Sequence, residues 1–95
     1  MSTSESILVE RGKQWGDPVY THERIARVWS GILNFQVSAH DVALCMVALK
    51  LVRASVNPTE PDSYTDAKGY ADIAMMIATP THPKLQELRD AVEAS

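Results

Sequence analysis

One cysteine, one phenylalanine and four glycines are all that this 95-residue sequence holds of three residue types that often mark a function. The lone Cys45 can form no internal disulfide, and its place in the most apolar stretch predicts a reduced, buried, small hydrophobe. No cysteine pair exists, and His22, His40 and His82 are scattered without metal-ligand spacing, so a zinc site is not expected. The Gly-rich phosphate loops of dinucleotide and triphosphate enzymes are missing, as is any Gly-x-Ser-x-Gly context for a nucleophilic serine. Alternating apolar and polar runs are absent, and no Asn-Gly or Asp-Gly turn appears, so no β-hairpin is predicted. No apolar run approaches the roughly 18 residues of a spanning helix, and Met1-Ser-Thr-Ser-Glu-Ser6 lacks a basic and then apolar leader. A cytoplasmic location without membrane attachment is therefore expected. The net charge of −3 comes without a basic stripe, which disfavours nucleic acid as a partner.

What is present is ordinary globular composition, 45% hydrophobic and 22% charged, in a chain of one-domain length spanning residues 1–95. A domain this small buries a limited share of its surface, so self-association into a dimer or tetramer is expected. The periodicity is helical throughout. A first helix over about Glu5–Lys13 places Ile7, Leu8, Arg11 and Trp15 on one side, and Gly16-Asp17-Pro18 ends it. A second opens near Thr21 as N-cap and carries Ile25, Val28, Trp29, Ile32 and Leu33 as an apolar stripe, with Arg24 and Arg27 facing out and His22 toward the apolar side. Asn34–Val37 reads as a connector whose Phe35 and Val37 cover the bundle end. Ser38-Ala-His-Asp41 fits a capping box at the start of a third helix running to about Ser55. Asn57-Pro58-Thr-Glu-Pro61 breaks it, and Asp62 and Ser63 compete to cap a fourth helix ending near Ala78. A last helix puts Leu85, Leu88 and Val92 on one side. The prediction is an all-α, compact antiparallel bundle of four to five helices around a central hairpin, about 38–55 and 62–78.

That hairpin holds the chemistry. Its first helix is apolar almost all round from Val42 to Leu49, as a helix is when neighbours surround it, yet Lys50 and Arg53 follow directly. In its second helix Asp62, Asp66, Tyr70, Ile73 and Ile77 recur every three or four residues, so two carboxylates share a face with side chains that must be buried. Asp62 and Asp66 have the spacing to hold Mg²⁺ or Mn²⁺, whose remaining ligands would be waters or substrate phosphates. Lys50 and Arg53 form either an internal salt bridge to those acids or a clamp for phosphate. Trp15, Tyr20, Trp29, Tyr64 and Tyr70 offer flat faces for a base. Tyr70, beside Asp66, is singled out among them.

Three motifs carry a resemblance to known proteins: Glu10-Arg11-Gly12-x-x-Trp15-Gly16-Asp17, then Asp41-x-Ala-x-x-Met-x-Ala-Leu-Lys50-x-x-Arg53, then Asp62-Ser-Tyr-x-Asp66-x-x-Gly-Tyr70. The chain resembles a small family of uncharacterised proteins common in actinobacterial phages. The motif order is similar to the nucleotide modification associated domains of phages and, more distantly, to the all-α MazG-like nucleotide pyrophosphohydrolases. The resemblance covers about Ile7 to Ile77. It implies a helical bundle, usually oligomeric, that holds a nucleotide in the host cytoplasm, with acidic side chains and Mg²⁺ cleaving the α–β phosphate linkage in active members. This sequence departs from that pattern. MazG-like enzymes carry a Glu-x-x-Glu pair on one central helix, where this chain has Lys50 and Arg53 and no glutamate, so half of that metal site is gone.

Two readings follow. In the first, a MazG-like phage-type protein binds a nucleotide-like small molecule: Lys50 and Arg53 hold phosphate, Asp62 and Asp66 coordinate Mg²⁺ (or Mn²⁺) or orient the cations, and Arg11, Trp15 and Tyr70 shape the pocket. Should it hydrolyse its ligand, Asp62 and Asp66 are the catalytic candidates. In the second, the protein is a non-catalytic interaction protein that sequesters a host signalling nucleotide or binds a host protein, and the four charges close an internal network.

Overall fold

The computed structural model describes residues 4–79 and 83–94, and within them the side chains of all but residues 4–7, 12, 15 and 83–85. Five helices follow in order: α1 (Ser4–Trp15), α2 (Pro18–Leu33), α3 (Ala39–Val56), α4 (Pro61–Ala78) and α5 (Pro83–Glu93). There is no strand among the described residues, so the all-α bundle is the architecture found. Each helix end has a local cause. Gly16, at φ 90, turns the chain after α1 in a conformation that an L side chain rarely adopts. α2 then starts four residues earlier than Thr21 as the cap would set it. Asp17 is the cap, its carboxylate accepting from the Val19 N–H at 2.9 Å, and Pro18 takes the first helical position, where a missing N–H costs nothing. The other carboxylate oxygen of Asp17 pairs with Arg89, which ties α5 to the α1–α2 turn. The Ser38–Asp41 capping box forms as the spacing predicts: the Asp41 N–H donates to Ser38 Oγ at 3.0 Å, and the Ser38 N–H donates to Asp41 Oδ2 at 3.1 Å. At α4 neither Asp62 nor Ser63 is the cap. Glu60 takes that role and Pro61 opens the helix.

The α3–α4 hairpin is the most extensive contact of the bundle. Small buried residues on both helices, Ala43 and Ala54 on α3 and Ser63, Ala67 and Ala74 on α4, let the backbones approach. The core forms where α1 and α5 close over this pair: Leu8, Ala43, Ile73, Ala74, Met76 and Leu88, edged by Val9, Val19, Tyr70, Ile77 and Val92. Ile73, Ile77, Leu88 and Val92 thus lie where their spacing places them. The side chains of Ile7 and Leu85 lie outside the described residues.

Three expectations about burial are corrected. α2 buries His22 and Ala26, leaves Ile25 and Trp29 half-buried, and exposes Val28, Ile32 and Leu33. The cause is the turn into α3. Ser30 Oγ donates to the Ala26 carbonyl at 2.7 Å and accepts the Val37 N–H at 2.8 Å, which fixes the Ala26–Ser30 side of the helix inward. The same tether holds Val37, while left-handed Asn34 (φ 52) sends Phe35 outward to 70% exposure, so Phe35 does not cover the bundle end. Cys45 is exposed, because α3 meets neighbours on only part of its circumference.

Candidate functional site

A cavity of about 230 Å³ opens between α1, α2 and α4, with α3 behind it. Its walls are mainly apolar: Leu8 from α1, Ile25 and Trp29 from α2, Val42 and Met46 from α3, and Ile73 from α4. The polar groups are few. Arg11 stands on one side, Thr65, Asp66 and Tyr70 line the α4 side, and Thr21 and His22 come from the first turns of α2. A largely apolar concavity with a small set of placed polar groups is the usual form of a small-molecule site.

Asp66 is the charge centre. Arg11 Nη2 lies 3.0 Å from its Oδ1 and Lys50 Nζ 3.1 Å from its Oδ2. The Asp66 and Lys50 side chains are each 13% exposed, whereas Arg11 is 44% exposed and reaches solvent. The carboxylate therefore joins three helices, α1, α3 and α4, at the cavity edge. Lys50 does not line the cavity. It supports Asp66 from the α3 side.

His22 supplies a different chemistry. It is 5% exposed, and its Nδ1 lies 2.7 Å from the Pro18 carbonyl. A carbonyl can only accept, so Nδ1 carries the proton and Nε2 presents a bare lone pair. Nε2 is buried, and among the described residues no group hydrogen-bonds to it. The ring meets Tyr70 edge-on, centroids 5.9 Å apart. Burial lowers the His22 pKa below the ordinary histidine value, with the Pro18 bond opposing it, so the neutral acceptor form is favoured.

Of the residues singled out by sequence, the structure gathers Arg11, Asp66 and Tyr70 on the cavity wall, with Lys50 behind them. The Trp15 side chain lies outside the described residues. Asp62 and Arg53 are elsewhere: both are exposed, Asp62 in the first turn of α4 and Arg53 in the last turn of α3, where each charge suits its helix end. Among the described residues no three His, Cys, Asp or Glu side chains gather as a metal-holding group. Both oxygens of Asp66 already face cations, which a divalent ion would have to displace. The donor set therefore does not fit Mg²⁺ or Mn²⁺. Thr65 carries no signal in its spacing, and Trp29 stands out in the sequence only as one of five aromatic faces. The legible signal for His22 is its place toward the apolar side of the second helix, which the structure bears out by burying it.

A family model described as a domain of unknown function (DUF6378) matches residues 1–78, up to the end of α4. The Gene 55 protein of Mycobacterium phage L5 is 32% identical over 82 residues, covering 84% of this chain and 53% of that protein. The Gene 55 protein of Mycobacterium phage D29 is 38% identical over 76 residues, covering 72% of this chain and 50% of that protein. The chain thus spans about half the length of these curated relatives. No solved structure matches. Among the described residues no helix is long and apolar enough to cross a membrane.

Proposed function

The chain belongs to the DUF6378 family, with phage proteins among its relatives, and on that premise we propose that it binds a nucleotide-like small molecule whose flat ring enters the α1–α2–α4 cavity. The observation that carries this reading is His22 Nε2, buried and without a hydrogen-bond partner among the described residues. Leaving a buried acceptor unsatisfied costs about 1–3 kcal/mol. A ring N–H or amino group of a ligand would recover that cost. Trp29 and Tyr70 give the cavity aromatic walls. Arg11, at the solvent side, has a five-donor fork suited to an anionic group such as phosphate.

The size narrows the ligand. About 230 Å³ lies below the roughly 300–1,000 Å³ of drug-sized sites, so the cavity suits one ring system rather than both bases of a dinucleotide. The MazG-like resemblance supports the same ligand class. Binding without turnover is favoured over pyrophosphate hydrolysis, because the Asp66 ion pairs occupy the carboxylate that hydrolysis would assign to a metal. The protein then acts by holding a nucleotide away from its users.

The test is equilibrium filtration of the protein with nucleosides and nucleotides, with and without Mg²⁺, followed by chromatography of filtrate and denatured retentate. One base class is expected to be retained and recovered intact. His22→Leu is expected to weaken retention at least tenfold, about 1.4 kcal/mol. Arg11→Ala should weaken the phosphorylated ligand more than its nucleoside. Free passage of every compound sinks the reading, and release of a monophosphate with pyrophosphate replaces it with an enzyme.

A further inference from the structure

Helix α3 is apolar on nearly every side, yet among the described residues only α2 and α4 make substantial contact with it. The half turned away from them runs through Leu44, Cys45, Ala48, Leu51, Val52 and Val56, all exposed, with Val52 at 61% and Val56 at 81%. These positions fall on consecutive turns at intervals of three and four, so they form one stripe along the helix. A helix apolar all round is ordinarily one that is surrounded. Here the chain surrounds half of it.

We infer that this stripe packs against the same stripe of a second copy, α3 crossing α3 about a two-fold axis. The area supports a second copy as the occupant. The chain exposes 6324 Å², whereas a folded monomer of 10.5 kDa exposes about 5,400 Å². The excess, roughly 900 Å², is close to the ~800 Å² that each partner contributes to a standard interface. The radius of gyration, 13.7 Å, likewise exceeds the ~12.4 Å of a compact chain of this length. The stripe is also self-complementary, as a two-fold interface requires. Ala48 near its middle permits close approach. An antiparallel crossing brings the acidic end, at exposed Asp41, toward the basic end of the other copy, at exposed Arg53. A bilayer is the weaker occupant, because no described helix is apolar and long enough to span one and the net charge is negative.

The experiment is sedimentation equilibrium of the full chain over a hundredfold concentration range, with variants Leu44→Glu and Val52→Glu. Both positions are exposed, so folding is expected to persist, and circular dichroism checks it. Wild type should sediment at twice the 10.5 kDa chain mass and both variants at the chain mass. Tyr20→Glu, on an exposed apolar residue of α2, should leave the dimer intact. A second readout uses Cys45: its reaction with a thiol reagent should slow several-fold as concentration rises in wild type and stay constant in Val52→Glu. A wild-type monomer throughout overturns the proposal and leaves the stripe to another partner. A dimer that survives both stripe variants, or that Tyr20→Glu dissolves, overturns it as well.

Discussion

Asp66 and His22 form the two polar poles of the cavity, and they differ in what removing them leaves behind. Asp66→Ala strands Lys50, which is 13% exposed. An ion left without its partner in a mostly buried place is costly, so the substitution is expected to lower stability by roughly 3 kcal/mol in urea unfolding. Arg11→Ala should cost under about 1 kcal/mol, since that partner is solvated and screened. Lys50→Met with Asp66→Leu should recover most of the loss, because the one charge then left without a partner, Arg11, is 44% exposed and solvated. A small loss for Asp66→Ala would show that the ion pairs matter little to the fold. His22 responds to pH. Its folded pKa is lowered by burial, so the unfolded chain takes the proton first as pH falls below about 6.5. Stability is therefore full above that value and declines as pH drops toward the folded pKa. Ligand retention should fail over the lower part of the same window, when Nε2 becomes a donor. Chemical denaturation at a series of pH values, with His22→Leu as the reference, measures the first effect; equal pH dependence in both proteins refutes it.

At the scale of helices, the sequence was most legible where a short motif satisfies its own backbone. Ser38 and Asp41 cap α3 because hydroxyl and carboxylate each reach an orphan N–H three residues away, a condition local sequence contains in full. Thr21 was a misleading cap for α2, because Asp17 followed by Pro18 offers both a better acceptor and a proline where the helix tolerates one. The apolar stripe of α2 was legible as amphipathic, but which part of it meets α3 depends on Ser30 binding Val37 across the turn, a tertiary detail. The same helix carries a testable local weakness. Gly31 is exposed within α2, and a Cβ added there meets nothing within 4 Å. Gly31→Ala should therefore raise stability by about 0.5–1 kcal/mol through helix propensity alone. Thermal unfolding with unchanged ligand retention checks it, since Gly31 does not line the cavity.

For the molecule as a whole, periodicity located the bundle and its central hairpin, because apolar spacing and proline breaks are properties of the chain itself. The cavity was only partly legible. Asp66, Tyr70 and Arg11 were visible as charges or rings at inward positions, but Lys50 sharing Asp66 with Arg11 depends on three helices meeting. The all-round apolar character of α3 predicts burial within one chain, and the fold instead leaves half of that helix outside. If a second copy covers it, unfolding is coupled to dissociation, and the midpoint temperature must depend on protein concentration. Each tenfold dilution removes about 1.4 kcal/mol per dimer, or about 0.7 kcal/mol per chain, which for a domain of this size is about 3–5 °C. Wild-type melting is therefore expected to fall by several degrees over a hundredfold dilution, while Val52→Glu melts at one temperature throughout. A wild-type midpoint that does not move with concentration would mean that α3 is stable half-exposed, and that its apolar outer face serves an encounter other than self-association.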